Sequence, residues 1–209
     1  MKKSKVMLFG AMALTAGLAL AACGSSQSSN ADKTYSYIFV SNPDTLDYIT
    51  STRDSTSSIT TNLVDGLLEN DQYGNLIPSM AESWTVSKDG LTYTYKIRQG
   101  AKWYTSEGEE YADVTAHDFV TGLKYAADKK AENLYLVQDS IKGLADYVEG
   151  KSSDFGTVGV KAVDDYTLQY TLNQPETYWN SKTTASILSP VNEAFLKSKG
   201  DDFGGVTPS

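Results

Sequence analysis

The chain has 209 residues, 18 Lys+Arg against 26 Asp+Glu, a formal net charge of -8, one Cys and one His. That length suits one large domain or two small ones with a real core. The acidic balance repels phosphate backbones and argues against a nucleic-acid partner. A single Cys (Cys23) excludes an internal disulfide framework and a multi-thiolate zinc site. A single His (His117) removes most His-based metal sites and leaves hydrolytic triads only one base.

In chain order, residues 1–22 read as a secretory signal peptide: Lys2, Lys3 and Lys5, an apolar run from Val6 to Leu20, then Ala21-Ala22. The sequence Leu20-Ala21-Ala22-Cys23-Gly24 resembles the lipobox of bacterial lipoproteins. That resemblance implies cleavage before Cys23 and acylation of its thiol with a diacylglyceryl or palmitate-type group, leaving a lipid anchor on the extracytoplasmic face of the cell membrane. Two or three acyl chains would hold the protein durably. Residues 23–33 have no apolar side chain larger than Ala after the Cys and read as a flexible tether.

The folded part is expected from Thr34. Tyr35 to Val40 reads as a first strand. Ile59, Leu63, Val64 and Leu67 share a helical face, with Gly66 as a stop, and 71–75 reads as a surface turn. Residues 84–98 predict a hairpin about Lys88-Asp89-Gly90, with Leu91, Tyr93, Tyr95 and Ile97 on one side and Thr92, Thr94, Lys96 and Arg98 on the other. Thr115 predicts a helix start supported by Asp118, followed by a stripe of Phe119, Val120, Leu123, Ala126 and Ala127. Gly122 reads as a slight weakness in that helix. Ile141, Leu144, Ala145 and Val148 predict a short helix ended by Gly150. Residues 158–172 predict a second hairpin turning at Asp164-Asp165, and 192–199 a last helix. The mixture predicts an α+β body with an antiparallel sheet.

Several stretches together resemble the solute-binding proteins of ABC importers for peptides and nickel complexes (family 5), and most of all the oligopeptide-binding lipoprotein branch. The main stretch runs from Ala81-Glu-Ser-Trp84 through Asp89-Gly90 to Gly100-Ala-Lys-Trp103. Collinear with it are Val114-Thr-Ala-His-Asp-Phe119, Asp44-Thr-Leu-Asp47, Asp65-Gly-Leu-Leu68, Val160 to Leu168 and Asn173 to Tyr178. Gln99 replaces a commoner charged residue, and Tyr48 replaces a Pro. Six weak motifs in one order make a strong joint signal.

The resemblance implies an α+β, periplasmic-binding-protein-like fold (type II, with an extra subdomain), incomplete here. It implies a start of lobe I over 34–63, a small subdomain over 64–188 and a partial return to lobe I over 189–209. It further implies an oligopeptide ligand, ABC permease and ATPase partners, membrane attachment through the N-terminal lipid, no cofactor and no catalysis. Carried over residue by residue, Thr52, Arg53 and Asp54 line the cleft, although Thr52 stands where an acid is common. By count from the Val114–Phe119 motif, the resemblance also implies a Tyr at Tyr135 that leans over the ligand. The residues alone also allow Tyr135 as ordinary packing and Arg53 as a solvated loop charge.

The same reading places Trp84 and Trp103 in the hairpin core, His117 on the surface, and Glu109-Glu110, Asp164-Asp165 and Asp201-Asp202 as solvated acids. The competing readings are a surface lipoprotein acting as adhesin or peptide sensor, and a secreted hydrolase. The hydrolase is disfavoured by the single His and the lack of a GxSxG or HExxH motif.

Overall fold

A computed structural model describes residue 38 and residues 41–206. The signal peptide, Cys23, the tether and most of the strand expected at 35–40 lie outside the described residues, as do the last three residues. Every element below falls within one unit, Val40–Ser209.

Period-two alternation builds the centre. Strands β3 (Ala81–Val86), β4 (Thr92–Ile97), β7 (Val160–Asp164) and β8 (Thr167–Thr171) form an antiparallel sheet in the order β3-β4-β8-β7. Both expected hairpins are therefore present, and β4 joins them by pairing with β8, Tyr93 opposite Tyr170 and Tyr95 opposite Leu168. One face carries the buried Tyr93, Tyr95, Ile97, Leu168 and Tyr170. On the other, the Gln169 amide donates to Thr94 Oγ1 (3.1 Å) and Lys96 Nζ to Thr167 Oγ1 (2.7 Å), each across a directly paired position. Cross-strand pairs of this kind fix the register.

Trp179, fully buried, closes the aromatic cluster, with ring centroids 5.3 Å from Tyr170 and 6.2 Å from Tyr93. It opens the short helix α4 (Trp179–Lys182). Tyr95 and Tyr170 meet edge to face at 6.2 Å. Such pairs add to plain area burial.

Two smaller hairpins flank this sheet. Strands β1 (Leu68–Asn70) and β2 (Leu76–Pro78) are joined through the expected turn, in which the Asp71 carboxylate accepts from Tyr73 N (2.8 Å) and Asn75 N (2.9 Å). Strands β5 (Lys102–Tyr104) and β6 (Glu110–Asp113) form a hairpin with no clear alternation to announce it. Lys102 lies opposite Asp113 and bonds it at 2.6 Å.

Helix α1 (Asp54–Thr60) starts and stops earlier than the pattern at 59–67 suggested. Leu63 is 70% exposed, while Leu67 is buried in the segment entering β1. The chain turns after Thr60, so the apparent helical face is divided between helix and loop.

Helix α2 (Ala116–Lys129) begins where expected: the Asp118 carboxylate accepts from Thr115 N at 2.9 Å. The Asp118 Oδ2 atom also accepts from Trp103 Nε1 at 3.1 Å, tying β5 to the helix. Burial raises the Asp118 carboxyl above its ordinary value, partly offset by these two hydrogen bonds and by the His117 charge. Gly122 is more than a weak point. A Cβ there would lie 2.2 Å from the Ser189 carbonyl oxygen, so the helix and the 186–191 segment meet as closely as they do only with glycine.

Helix α3 (Leu144–Val148) follows Ile141, which bridges Leu172. Helix α5 (Glu193–Lys199) is capped by Asn192 Oδ1, which accepts from Phe195 N at 2.9 Å. Trp84 and Trp103 pack, partly buried, against the core, and His117 is exposed, 3.4 Å from Asp165. The core is continuous from Ile49 to Phe203. Among the described residues no helix is long and apolar enough to cross a membrane.

Candidate ligand-binding strip

The segment from Asp44 to Asp54 has few apolar residues, and polar bonds give it its shape. Asp47 is the hub: 6% exposed, its Oδ1 accepts from Ile49 N (3.0 Å) and Thr50 N (3.1 Å). Its Oδ2 accepts from Thr50 Oγ1 (2.6 Å) and Tyr125 OH (2.8 Å). Burial, and next the bond to Asp47, push the Tyr125 phenol above its ordinary value.

The segment is also clasped from the far end of the chain. Leu46 N and Thr45 Oγ1 both donate to the Gly204 carbonyl, at 2.6 and 3.0 Å, and Thr45 bridges Gly205. Gly204 has φ +74 and its absent Cβ would sit 2.2 Å from Asp47 N, so this crossing requires glycine.

So fixed, the chain passes through Ser51 and Thr52 outside any helix or strand and is extended at Arg53 (φ -86, ψ 136), the residue before α1. Arg53 N donates to Ser51 Oγ (3.3 Å), but the Thr52 N–H and C=O find no hydrogen-bond partner among the described residues. Unspent main-chain groups are what an added peptide strand pairs with. Thr50 to Arg53 form one wall of a groove of about 440 Å³. The other wall is 129–132, the end of α2 and the start of the 3-10 turn Glu132–Leu136.

The candidate residues fall here as follows. Thr52 Oγ1 donates to Glu132 Oε2 at 3.3 Å, so a carboxylate from a distant element stands beside the position where an acid was expected. Arg53 Nε pairs with Asp44 Oδ2 at 3.1 Å, with both side chains exposed. Asp54 is the first residue of α1. Tyr135 is 75% exposed on the 3-10 turn and is not packed in a core. Because residues three apart eclipse in a 3-10 helix, Tyr135 shares a face with Glu132, but of the candidates only Thr52 and Arg53 line the groove itself.

Tyr125, Glu132 and Gly204 went unassigned in the sequence, and Asp47 was read only as the end of the Asp44–Asp47 turn motif. Asp47 carried a signal, an Asp followed two and three residues on by amides it can cap. The others did not, since their partners lie 78 to 159 residues away. Among the described residues no His/Cys/Asp/Glu cluster could hold a metal.

The chain thus combines a four-stranded antiparallel sheet and flanking helices with an open, polar strip. Comparison makes the class specific: the model of the bacterial extracellular solute-binding proteins, family 5 Middle, matches residues 75–208, and the chain belongs to that family. It is 67% identical over 207 residues, 99% of its length, to the oligopeptide-binding protein AliB of Streptococcus pneumoniae. It is 64% identical to SarA of Streptococcus gordonii, another oligopeptide-binding protein. Among solved structures, Listeria monocytogenes OppA bound to peptide superposes with a TM-score of 0.70 at 34% identity over 77% of this chain. The chain spans about a third of these proteins: 31% of AliB, 32% of SarA and 31% of the Listeria chain.

Proposed function

We propose that this chain is part of a peptide-capturing, lipid-anchored subunit of an ABC importer, and that the Thr52–Arg53 strip is one wall of its ligand cleft. The observation that carries the reading is the Thr52 main chain, with both polar groups unspent, on one wall of the groove opposite Glu132. Peptide backbone would pair with that edge, giving affinity independent of side-chain identity. The opposing wall belongs to the part of the family outside this third of its length, and closure of two lobes would trap the ligand. No bond is made or broken in this function. Identity to the oligopeptide-binding AliB and SarA supports peptide as the ligand, and permease and ATPase subunits as partners.

In the same reading, 34–63 opens lobe I, 64–188 is the small subdomain and 189–209 returns to lobe I; the clasp between Thr45 and Gly205 supports that return. Cys23 carries the lipid on the extracytoplasmic face. Loss of the lipid mass from the N-terminal peptide in Cys23→Ala, with release of the protein from membranes, is the expected outcome for the anchor. For the ligand, mixed extended peptides are titrated calorimetrically into this chain and into a full-length relative. Binding should be detectable but far weaker for the chain, because one wall cannot bury both faces of a peptide. Submicromolar binding by the chain overturns the half-cleft; no peptide effect on the amides of 51–54 overturns the ligand class.

A further inference from the structure

Glu132 and Tyr135 are both exposed, and packing explains neither. Among the described residues the Glu132 carboxylate makes one contact, the 3.3 Å hydrogen bond from Thr52 Oγ1, and no ion pair. Tyr135 is 75% exposed and makes no ring contact or hydrogen bond among the described residues.

The element is rigid here. Leu134, between them, is 2% exposed in the core, its N–H donates to Ala131 O at 3.0 Å, and its carbonyl accepts from Val137 N and Gln138 N. Residues 132 and 135 are three apart on a 3-10 helix, so the side chains eclipse, with Cα atoms about 6 Å apart along the axis at ~2 Å rise per residue. That separation lets one ammonium or guanidinium touch a carboxylate and lie over a ring face, within the ~6 Å reach of a cation–π contact.

The other charges along the groove are mostly spent. Arg53 is held by Asp44 and Lys129 by Asp201, each at 3.0–3.1 Å. Lys130, in the left-handed conformation (φ 50), has no ion-pair partner among the described residues and opposes a cation. Over longer range, the chain's net charge of -8 draws cationic ligands in.

We propose that Glu132 and Tyr135 form a subsite for a cationic side chain, Lys or Arg, of the bound peptide. This deepens the peptide-capture reading and rests on it. The cleft would then tolerate many sequences through its main-chain edge and favour those that place a positive residue against this turn.

The test compares Ac-Ala-Ala-Lys-Ala-Ala-NH2 with its norleucine analogue, isosteric in the stem and uncharged, at millimolar concentration. The readout is the amide shifts of 51–54 and 132–135 in the 15N-labelled protein. The Lys peptide should bind about fivefold more tightly at low salt, from one exposed cation–π contact and one screened ion pair, and the advantage should shrink at high salt. Glu132→Gln and Tyr135→Leu should each remove most of it, Tyr135→Phe should keep it, and Lys130→Met should enlarge it. Equal binding of the two peptides overturns the cationic subsite and leaves peptide capture standing. A Lys preference unchanged in Glu132→Gln also overturns the assignment. No shift at these amides with either peptide overturns both readings.

Discussion

The sheet and the strip solve the same problem, fixing a chain, by opposite means. Around β4 and β8, alternation buries Tyr93, Tyr95, Leu168, Tyr170 and Trp179, and apolar area dominates the free energy. Around Asp47, shape comes from four hydrogen bonds to one buried carboxylate and from a clasp to Gly204. Apolar packing resists change everywhere at once. A polar hub holds one segment, and can be released without melting the body.

The largest effect should come from Trp179→Ala. It empties a fully buried site against Tyr93 and Tyr170 and should cost about 3–5 kcal/mol in urea unfolding. A loss below about 1.5 kcal/mol would mean that the aromatic cluster is not what holds the sheet. Next, Asp47→Ala leaves the Tyr125 hydroxyl and two amides without their acceptor, a penalty of about 1–3 kcal/mol per buried orphan before water repairs it. Its signature should be local: hydrogen exchange of 46–51 accelerates while the amides of β4 and β8 keep their protection. Gly204→Ala, forced against Asp47 N at positive φ, should reproduce that pattern from the other side of the clasp. Uniform loss of protection in either variant would show that the strip and the sheet are one cooperative unit.

These two regions also differ in how much of them can be read in the chain. The sheet was legible because its rule is local: Leu91 to Ile97 and Thr167 to Leu172 alternate, and turn residues say where they reverse, at Asp89-Gly90 and, one residue later than expected, at Asp165-Tyr166. The α2 start was legible for the same reason, Thr115 and Asp118 being three apart. The β5–β6 hairpin was not, because Lys102-Trp-Tyr104 is too short to show a period. At 59–67 a helical spacing was present but the chain broke it after Thr60, leaving Leu63 exposed. In the strip, Thr52, Arg53, Asp54 and Tyr135 were reachable only by family resemblance. That Glu132 comes to Thr52 depends on a fold-wide contact over 80 residues, which no local pattern encodes.

Asp118 gives a smaller effect, separable by pH. Its folded carboxyl lies above the unfolded value of 3.8 because burial disfavours the charge. Between those two values the native state holds more protons than the unfolded one, so stability falls as pH rises through the window. Asp118→Asn removes the charge and keeps a carbonyl acceptor for Thr115 N or Trp103 Nε1. The variant should therefore gain on the parent as pH climbs above the unfolded value of 3.8, read as the difference between their urea midpoints. A gap that widens toward low pH instead would contradict the sign.

The smallest expected change is the most informative about the strip. Arg53 and Asp44 are both exposed, 68% and 57% at the side chain, and such pairs contribute about 0–1 kcal/mol. Arg53→Met should leave the unfolding midpoint within about 0.5 kcal/mol of the parent, and the exchange pattern of 46–51 unchanged, since the Asp47 bonds do not involve it. The same variant should alter peptide-induced shifts at 51–54, because Arg53 lines the groove and directly follows Thr52, whose main-chain groups are unspent among the described residues. Near-constant stability with changed ligand response would place Arg53 on the cleft wall. A stability loss comparable to that of Asp47→Ala would instead make it part of the polar scaffold, and move the boundary between scaffold and wall one residue toward α1.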